Sequence, residues 1–582
     1  MGQETFFQLD TISKNIEGKK IEKNILEKIL DYFNDKKNFK IIFPTIVLFL
    51  CLVKIPALFV TDMQPWDEGM YATRVVSIYI NGDFIDQAQH SIQKFYSGSH
   101  PPLLIWVGYL FTLIFGLNSV VLKIIPFITA ILSIFLLIRI GEKVHSLSTG
   151  YIAAMIFSSN IIFSVFSKRF QFDIPYNFLI LLAFYIFIKQ LENRKFIYNI
   201  YLGLVFGACL MIKILVGTFI PMIIFLFYIL LRKRINYKIT DIITFSIIGI
   251  IIALPWHLYM FIKYGNEFFQ WFFFYHIYER AFFGVEYNVK SSGIFYHINY
   301  ILSIIPYSIL LFPAFIKDII NFRNLTINKL FIWVWFIAGF LIITFFKTKL
   351  EVYTLLILSQ VSLIIPSYLY ELRKSDYKEK AFTLLLIVIN IFWALTFNNR
   401  NWLKDLFKNE FIIYSLITIL ICIVVYIISI LITKKINIAY IFYSFIIVFF
   451  ISLNIVHMID IPWWEDSFEL SGIKKEIDKT GKKEIIYIAG LYENDRANPQ
   501  FSFYFKGLNI GWKNSEYTYK LLETKRVGTE TVKSFLDSLP PDKYSIIVER
   551  DEINRTDYDD TKTFMPEKFK LILKKPGYEL YW

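Results

Sequence analysis

The chain has 582 residues, of which 56% are hydrophobic and 19% aromatic, and its formal net charge is +13. Soluble domains contain less apolar side chain than this, so the composition excludes an ordinary soluble enzyme and indicates a protein that crosses a membrane several times. The basic residues lie in short clusters between apolar runs, as in loops retained in the cytosol, and we therefore expect no nucleic-acid partner.

The first 40 residues are predicted to be a cytosolic N-terminal segment (1–40), because they are rich in charged residues and lack the apolar core and cleavage site of a secretory signal. The cysteines lie inside apolar runs at Cys51, Cys209 and Cys422. Neither a disulfide framework nor a cysteine-ligated zinc site is therefore expected.

A transmembrane domain is predicted over 41–457, with outer loops at 61–118 and 261–294. Apolar runs long enough to cross a bilayer lie at 41–60, 119–138, 149–167, 174–188, 197–213, 214–231, 240–260, 295–316, 329–346, 350–370, 380–397, 410–432 and 437–457. One further run, 101–116, is short and begins with two prolines. If this run does not cross, the Lys and Arg clusters between spans all lie on the N-terminal side, as the positive-inside rule requires.

The predicted fold class is thus a polytopic α-helical membrane protein with about thirteen transmembrane helices and a soluble α/β domain at its C-terminus. That domain, 458–582, would lie on the outer, periplasmic or extracellular side of an inner (cytoplasmic) membrane, opposite the cytosolic N-terminus. Alternating patterns predict strands at 484–488, 501–505, 544–548 and 569–573, and helical periodicity appears at 467–480 and 529–539.

The first outer loop contains the segment Trp-Asp-Glu-Gly-Met-Tyr-Ala at 66–72, which places Asp67 and Glu68 just beyond an apolar span. A carboxylate at a membrane surface can accept a proton from a hydroxyl or hold a cation. The alternative is a solvated loop with an N-capping aspartate.

Further isolated charges are predicted on the same outer face. Asp173 begins a span, either as its N-cap or as a substrate contact, and Lys213 joins two apolar runs, either snorkelling or pointing into a cavity. The aromatic loop after residue 256 carries His276 and Arg280. That loop reads as an interfacial belt or as a site in which the guanidinium binds a phosphate.

Lys347, Lys349 and Tyr353 lie between two spans, where the lysines locally break the positive-inside rule. We interpret these two lysines as contacts to an anionic ligand such as a lipid phosphate.

The order of these motifs over 41–370 resembles the lipid A aminoarabinose transferases and, more distantly, the protein O-mannosyltransferases (dolichyl-phosphate-mannose-protein mannosyltransferases). These are membrane glycosyltransferases of the C-type (GT-C) fold. The matching segments are 67–72 with 82–83, 101–103 with Trp106, Asp173, 210–213, 255–256, 276–280 and 349–353.

The resemblance implies a polyprenyl-phosphate sugar, such as one on undecaprenyl phosphate, as donor and a lipid, protein or glycan as acceptor. It makes Asp67 the catalytic base and Asp173 a second catalytic residue. The implied substrate-binding residues are Glu68, Tyr71, His100, Lys213, Arg280, Lys347, Lys349 and Tyr353. A divalent metal is also possible in such a site, with His276 as a candidate ligand, although Ser99-His100 replaces the family's Glu-Lys pair.

The resulting hypothesis is an inverting glycosyl transfer on the outer face of the membrane. A lipid or polysaccharide transporter and an O-antigen-type glycan ligase are the alternatives. A transporter predicts internal repeats with helices broken at the midplane, whereas the polar groups here are expected on one face.

Overall fold

The computed structural model describes residues 25–582 except 65, 214–216, 286–305, 376–379, 381–382, 384–436, 460–468, 490–498, 507–516, 524–526, 542, 550–563 and 576. Its first part is helical. The helices in chain order are α1 (Ile25–Asn34), α2 (Phe39–Val60), α3 (Asp67–Asn81), α4 (Phe95–Gly98), α5 (Leu103–Phe115), α6 (Ser119–Val144), α7 (Leu147–Ser158), α8 (Ile161–Phe166), α9 (Asp173–Glu192), α10 (Phe196–Leu210), α11 (Phe219–Leu231), α12 (Ile239–Tyr264), α13 (Asn266–Phe269), α14 (Arg280–Phe282), α15 (Leu311–Ile320), α16 (Ile327–Phe345), α17 (Leu355–Lys374) and α18 (Ile438–Ile459).

Within the part of the chain that the structure describes, seven helices are long and apolar enough to cross a membrane. These are Lys36–Val60, Ser119–Val144, Asp173–Glu192, Ile239–Tyr264, Ile327–Phe345, Glu351–Lys374 and Ile438–Val456. The shorter apolar helices α5, α7, α10 and α11 lie between them in the chain. A multi-pass membrane protein is thus confirmed. The count of about thirteen stays a prediction, because the runs 380–397 and 410–432 fall outside the described residues, apart from 380 and 383.

The run predicted at 149–167 is two helices, because Asn160 interrupts it. The Asn160 side chain accepts hydrogen bonds from the backbone N–H groups of Ile162 and Phe163, and so caps the start of α8. An asparagine that bonds its own following backbone favours a helix start over a helix interior. The break brings the segment between α8 and α9 to the end of the helix bundle, next to α3.

The C-terminal part contains a five-stranded sheet of strands β1 (Glu484–Ala489), β2 (Thr518–Glu523), β3 (Tyr544–Glu549), β4 (Leu571–Lys575) and β5 (Tyr578–Tyr581) in the order β2-β1-β3-β5-β4. β1 pairs in parallel with β2 and β3, while β5 is antiparallel to β3 and β4. Helices α19 (Leu470–Thr480), α20 (Gln500–Tyr504) and α21 (Thr529–Asp537) accompany the sheet.

A five-stranded sheet thus lies in the part predicted to be an α/β domain, but the strand predicted at 501–505 is wrong. Residues Gln500–Tyr504 form α20, and Phe501 stacks at 4.5 Å on Phe505, the residue that follows this helix, against the sheet core. Phe503, on another face, belongs to the core of the membrane helices. The apolar run is therefore shared between two cores, which alternation alone cannot distinguish from a strand.

Candidate active site

A cavity of about 370 Å³ lies where α3, α9, the segment after α10 and the segments around 276 and 353 meet. This volume falls in the range of small-molecule sites. Eight of the predicted site residues line it: Asp67, Tyr71, His100, Asp173, Lys213, His276, Arg280 and Tyr353. The structure does not bring Glu68, Lys347 or Lys349 to the cavity lining.

Asp67 is the first residue of α3, and its side chain is exposed beside this cavity. The preceding Trp66 has φ +63°, a left-handed conformation that is rare for a bulky residue and turns the chain sharply into the helix. Tyr71, one turn later, is buried. Burial and the nearby charges of Asp67 and Asp173 raise the pKa of the Tyr71 phenol, so it remains a hydrogen-bond donor.

Glu68 lies outside the cavity lining and holds the loop before α3 in place. Its side chain is fully buried, and its two carboxylate oxygens accept hydrogen bonds from the backbone N–H groups of Gln64 and Phe170, each at 2.7 Å. The same carboxylate thus connects the approach to α3 with the segment before α9. These contacts favour a role for Glu68 in orienting the loop.

Asp173 and Lys213 face each other across the cavity. Asp173 begins α9, but the N-cap position belongs to Phe172, so Asp173 is not the N-cap of that helix. The Lys213 ammonium lies 4.6 Å from the centre of the Phe172 ring and 6.0 Å from that of Tyr353. Aromatic faces hold a cation without neutralising it, so Lys213 points into the cavity with its charge available to an anion.

Two histidines contact each other at the cavity wall, with the ring centres of His100 and His276 separated by 4.3 Å and the rings tilted by 42°. Burial and the Arg280 charge lower the pKa of His276 to about 3, and burial and the neighbouring His276 also lower that of His100. Both rings are therefore neutral at pH 7. His276 Nε2 lies 2.8 Å from the Tyr96 carbonyl and must donate to it, which leaves Nδ1 as an acceptor.

His276 and Arg280 are placed by a π-helix, Gln270–Glu279, which runs directly into α14. Hydrogen bonds in a π-helix close from i to i+5, so residues four or five apart share a face, and π-helical segments are frequent at functional sites. The Arg280 carbonyl accepts a hydrogen bond from Thr348 N at 3.1 Å. This contact joins the π-helix to the segment that leads to Tyr353.

Lys347 and Lys349, the two lysines near Tyr353, do not line the cavity. Lys349 Nζ donates to the carbonyls of Ile343 and Thr344, at 3.1 and 2.6 Å, and so closes the C-terminal end of α16. Burial and the charge of Lys347 lower the pKa of this ammonium. Lys347 itself is exposed away from the lining residues.

Arg74 and Arg169 were missed by the sequence interpretation. Arg74 is buried in α3 and donates to the carbonyls of Ser97 and His100 and to Gln87 Oε1, which fixes the segment that carries His100. Arg169 lines the cavity and lies 5.6 Å from the Phe166 ring centre. The signal for Arg74 was an arginine seven residues after Asp67, two turns along the same helix.

A complete metal-ligand set is not found among the described residues, since no group of three or more His, Cys, Asp or Glu side chains there is placed to hold a metal ion. The pair His100 and His276 supplies two neutral imidazoles, whereas a catalytic zinc has three protein ligands. We therefore derive no metal-dependent step from this site.

Comparison with known proteins supports the resemblance drawn from the motifs. The sequence pattern of the family described as dolichyl-phosphate-mannose-protein mannosyltransferase matches residues 99–260. Two Aquifex aeolicus proteins, both described as uncharacterized, are 27% identical over 335 residues and 24% identical over 337 residues. The matches cover 57% and 55% of this chain, and 74% and 61% of the two relatives.

Among solved structures, ArnT from Cupriavidus metallidurans bound to undecaprenyl phosphate matches with a TM-score of 0.61, covering 94% of this chain and 98% of ArnT at 14% identity. The apo state of ArnT matches with a TM-score of 0.62 over the same shares. The chain has the ArnT fold. The predicted resemblance to the aminoarabinose transferases is thereby confirmed for the fold, and it extends beyond 41–370 to nearly the whole chain.

Proposed function

We propose that this protein is an inverting glycosyltransferase that moves a sugar from a polyprenyl-phosphate donor to a hydroxyl group of a lipid, protein or glycan acceptor. The observation that carries this proposal is the single cavity in which Asp67 and Asp173 lie beside Lys213 and Arg280. A carboxylate can take the proton of an attacking hydroxyl, and the two cations can receive a departing phosphate.

Lys213, Arg280 and Tyr353 would hold the donor phosphate. Lys213 is presented by the Phe172 and Tyr353 rings, and Arg280 is anchored through its backbone to Thr348. A guanidinium binds phosphate oxygens through two parallel hydrogen bonds, while the ammonium acts as a point charge. The neutral His276 and His100 add hydrogen-bonding capacity without adding charge.

In the reaction, the acceptor oxygen attacks the anomeric carbon while the bond from that carbon to the phosphate oxygen breaks. The acceptor proton passes to the Asp67 carboxylate, and the polyprenyl phosphate leaves with the electron pair of the broken bond. One displacement inverts the anomeric carbon. Asp173, which interacts electrostatically with both Asp67 and Lys213, would orient the reactants between the base and the phosphate site.

We also propose the topology that such a reaction needs: a cytosolic segment 1–40, a membrane domain 41–457 with about thirteen crossings, and an outer domain 458–582 in the cytoplasmic membrane. Fusions of a reporter active only outside the cytosol, placed after residue 582 and after residue 234, test it. The first fusion is expected to be active and the second inactive. The reverse pattern would contradict the proposed sidedness.

The Asp67→Asn variant tests the chemistry without knowledge of the sugar. A strain that lacks this protein is complemented with the wild-type gene or with the variant, and its glycans and lipids are compared by mass spectrometry. The wild type should restore a sugar missing from one acceptor. Loss of a general base slows transfer by about 10²- to 10⁴-fold, so Asp67→Asn should not restore it.

Glu351→Gln is the matched control, because it also neutralises a carboxylate at the cavity without touching a residue assigned a role here. Equal protein levels of the three forms in the membrane are verified by immunoblot. Full restoration by Asp67→Asn would show that Asp67 is not the base. Absence of any missing sugar in the deletion strain would contradict the transferase assignment itself.

A further inference from the structure

The cavity contains a second set of polar groups that the proposed chemistry does not use. Arg169 Nε, the Tyr176 hydroxyl and Asn177 Nδ2 are buried atoms for which the described structure offers no hydrogen-bond partner. All three residues line the cavity. Only about 4% of each of the Tyr176 and Asn177 residue surfaces is exposed.

The positions of Tyr176 and Asn177 follow from helix geometry. Asp173 is the first residue of α9, so Tyr176 and Asn177, three and four residues later, lie on the same helix face one turn further along. One turn advances about 5.4 Å along the axis. A row of polar groups therefore runs from the Asp173 carboxylate deeper into the helix bundle.

Asn177 has one contact to a neighbouring helix. Its Oδ1 accepts a hydrogen bond from Ser359 Oγ, on α17, at 3.4 Å, while its Nδ2 has no partner among the described residues. A buried polar group without a hydrogen-bond partner is costly, so the groups that line this cavity need a partner that enters it. Three such groups around one cavity indicate a ligand that supplies oxygen atoms.

We propose that Arg169, Tyr176 and Asn177 form a subsite for the hydroxyl groups of the donor sugar, separate from the cations that hold its phosphate. This inference rests on the proposed transferase function. Asp173 interacts electrostatically with Lys213 and begins the row of polar groups, so a sugar attached to a phosphate at Lys213 would extend along this row towards Asn177, about one helical turn further. Arg169 Nε and Asn177 Nδ2 can only donate, so they match hydroxyl oxygens and disfavour an ammonium group.

The sugar is therefore of the neutral, polyhydroxylated class at this subsite, rather than an amino sugar with its nitrogen there. If these three residues bonded only to ordered water, the protein would bind donors with different sugars equally well. This difference makes the two possibilities separable by measurement.

The experiment measures binding of defined probes to the purified full-length protein in nanodiscs. The probes are undecaprenyl phosphate alone and undecaprenyl phosphate carrying glucose, mannose, galactose or 4-aminoarabinose. The wild type is expected to bind at least one neutral glycosylated probe about tenfold or more tightly than bare undecaprenyl phosphate, as expected for sites that hydrogen-bond a substrate hydroxyl. Asn177→Leu and Tyr176→Phe should lose this preference and keep the affinity for the bare lipid phosphate.

Stability supplies a readout that a merely structural role would not produce. Removing a buried hydroxyl that lacks a partner among the described residues is neutral or stabilising, so Tyr176→Phe should melt at or above the wild-type temperature without ligand. The matched control is Tyr151→Phe, which removes another buried hydroxyl that has no partner among the described residues and does not line the cavity. This control should retain the sugar preference.

The outcomes distinguish the two proposals. If the wild type does not bind undecaprenyl phosphate at all, the transferase proposal fails and the subsite fails with it. If bare undecaprenyl phosphate binds but no neutral sugar improves the affinity, or if Asn177→Leu and Tyr176→Phe keep the preference, the subsite is overturned while the phosphate site stands. Preference for the 4-aminoarabinose probe alone also overturns it.

Discussion

Replacing Gly69 with alanine tests whether the C-terminal domain holds the helix that begins at Asp67. A Cβ atom at Gly69 would lie 2.4 Å from Gln500 N, 2.8 Å from Gln500 Cα and 2.9 Å from the Pro499 carbonyl carbon. Non-bonded carbon atoms are most favourable about 3.5–4.0 Å apart. The overlap is thus about 1 Å, and it involves backbone atoms that cannot rotate away.

The neighbouring contacts point the same way. Thr73 Oγ1, one turn later in α3, lies 3.3 Å from the Pro499 carbonyl, and the Tyr504 hydroxyl accepts a hydrogen bond from Met63 N at 3.1 Å. Ser471 N donates to Asp62 Oδ2 at 2.7 Å. The domain therefore contacts both α3 and the chain that leads into it.

Overpacking of this kind costs about 1–3 kcal/mol, and the gain in helix propensity from alanine returns at most about 1 kcal/mol. We expect Gly69→Ala to lower the melting temperature of the purified protein by a few degrees. Hydrogen exchange should become faster both in 66–72 and in 499–505, because the two elements must separate. Transfer activity should fall with it, since Asp67 is two residues from the altered contact.

Gly339→Ala is the matched control, because it makes the same change within a helix. Its Cβ would meet Ile357 Cγ2 at 3.2 Å, and a side-chain methyl group can move. The control should keep the wild-type melting temperature, or its free energy of unfolding should rise by up to about 1 kcal/mol. If Gly69→Ala melts and exchanges like the wild type, α20 does not pack on α3 as the structure shows, and the reasoning is refuted.

Three further predictions concern the site itself. Glu68→Gln replaces a carboxylate oxygen with an amide nitrogen and leaves a buried N–H of Gln64 or Phe170 without its acceptor. This loss should lower the free energy of unfolding by about 1–3 kcal/mol in thermal unfolding. An unchanged melting temperature would show that Glu68 does not hold these two segments together. The pKa of His276 is about 3 in the folded protein and 6.5 without its surroundings, so between these values the unfolded chain binds more protons. The free energy of unfolding should then fall as the pH decreases from about 6.5 towards 3. In melting curves, His276→Gln should make the stability less dependent on pH in this range. An identical pH dependence in the variant would refute the lowered pKa of His276. Lys213→Met should weaken binding of undecaprenyl phosphate about tenfold or more in nanodiscs without changing the melting temperature, because it removes one cation from the phosphate site; unaltered affinity would place the phosphate elsewhere.

Much of the fold could be predicted because long apolar runs have few alternatives. Lengths near 20 residues and cytosolic-type charge clusters located α2, α6, α9, α12, α16 and α17 to within a few residues. The segment 501–505 could not be predicted in the same way. Its aromatic residues face two different cores, so neither the strand periodicity nor the helix periodicity of hydrophobic residues describes the segment by itself.

The residues of the cavity lining could be predicted where a charged residue borders or interrupts an apolar run, as Asp67, Asp173 and Lys213 do. The lining was not predictable where more than one basic residue could have contacted the cavity. The sequence predicted Lys349 as a phosphate contact, yet its ammonium donates to the last carbonyls of the preceding helix, α16, while Arg169 lines the cavity. Such choices depend on side-chain direction, which spacing does not contain.

The contact between Gly69 and Gln500 also sets an order of assembly. Asp67 is synthesised near the beginning of the chain and Gln500 near its end, so α3 leaves the ribosome long before its partner exists. The helix that carries the proposed base is therefore completed only when the last part of the chain has folded against it. A chain cut short before residue 499 would lack the contacts of Pro499, Gln500 and Tyr504 that hold the start of α3.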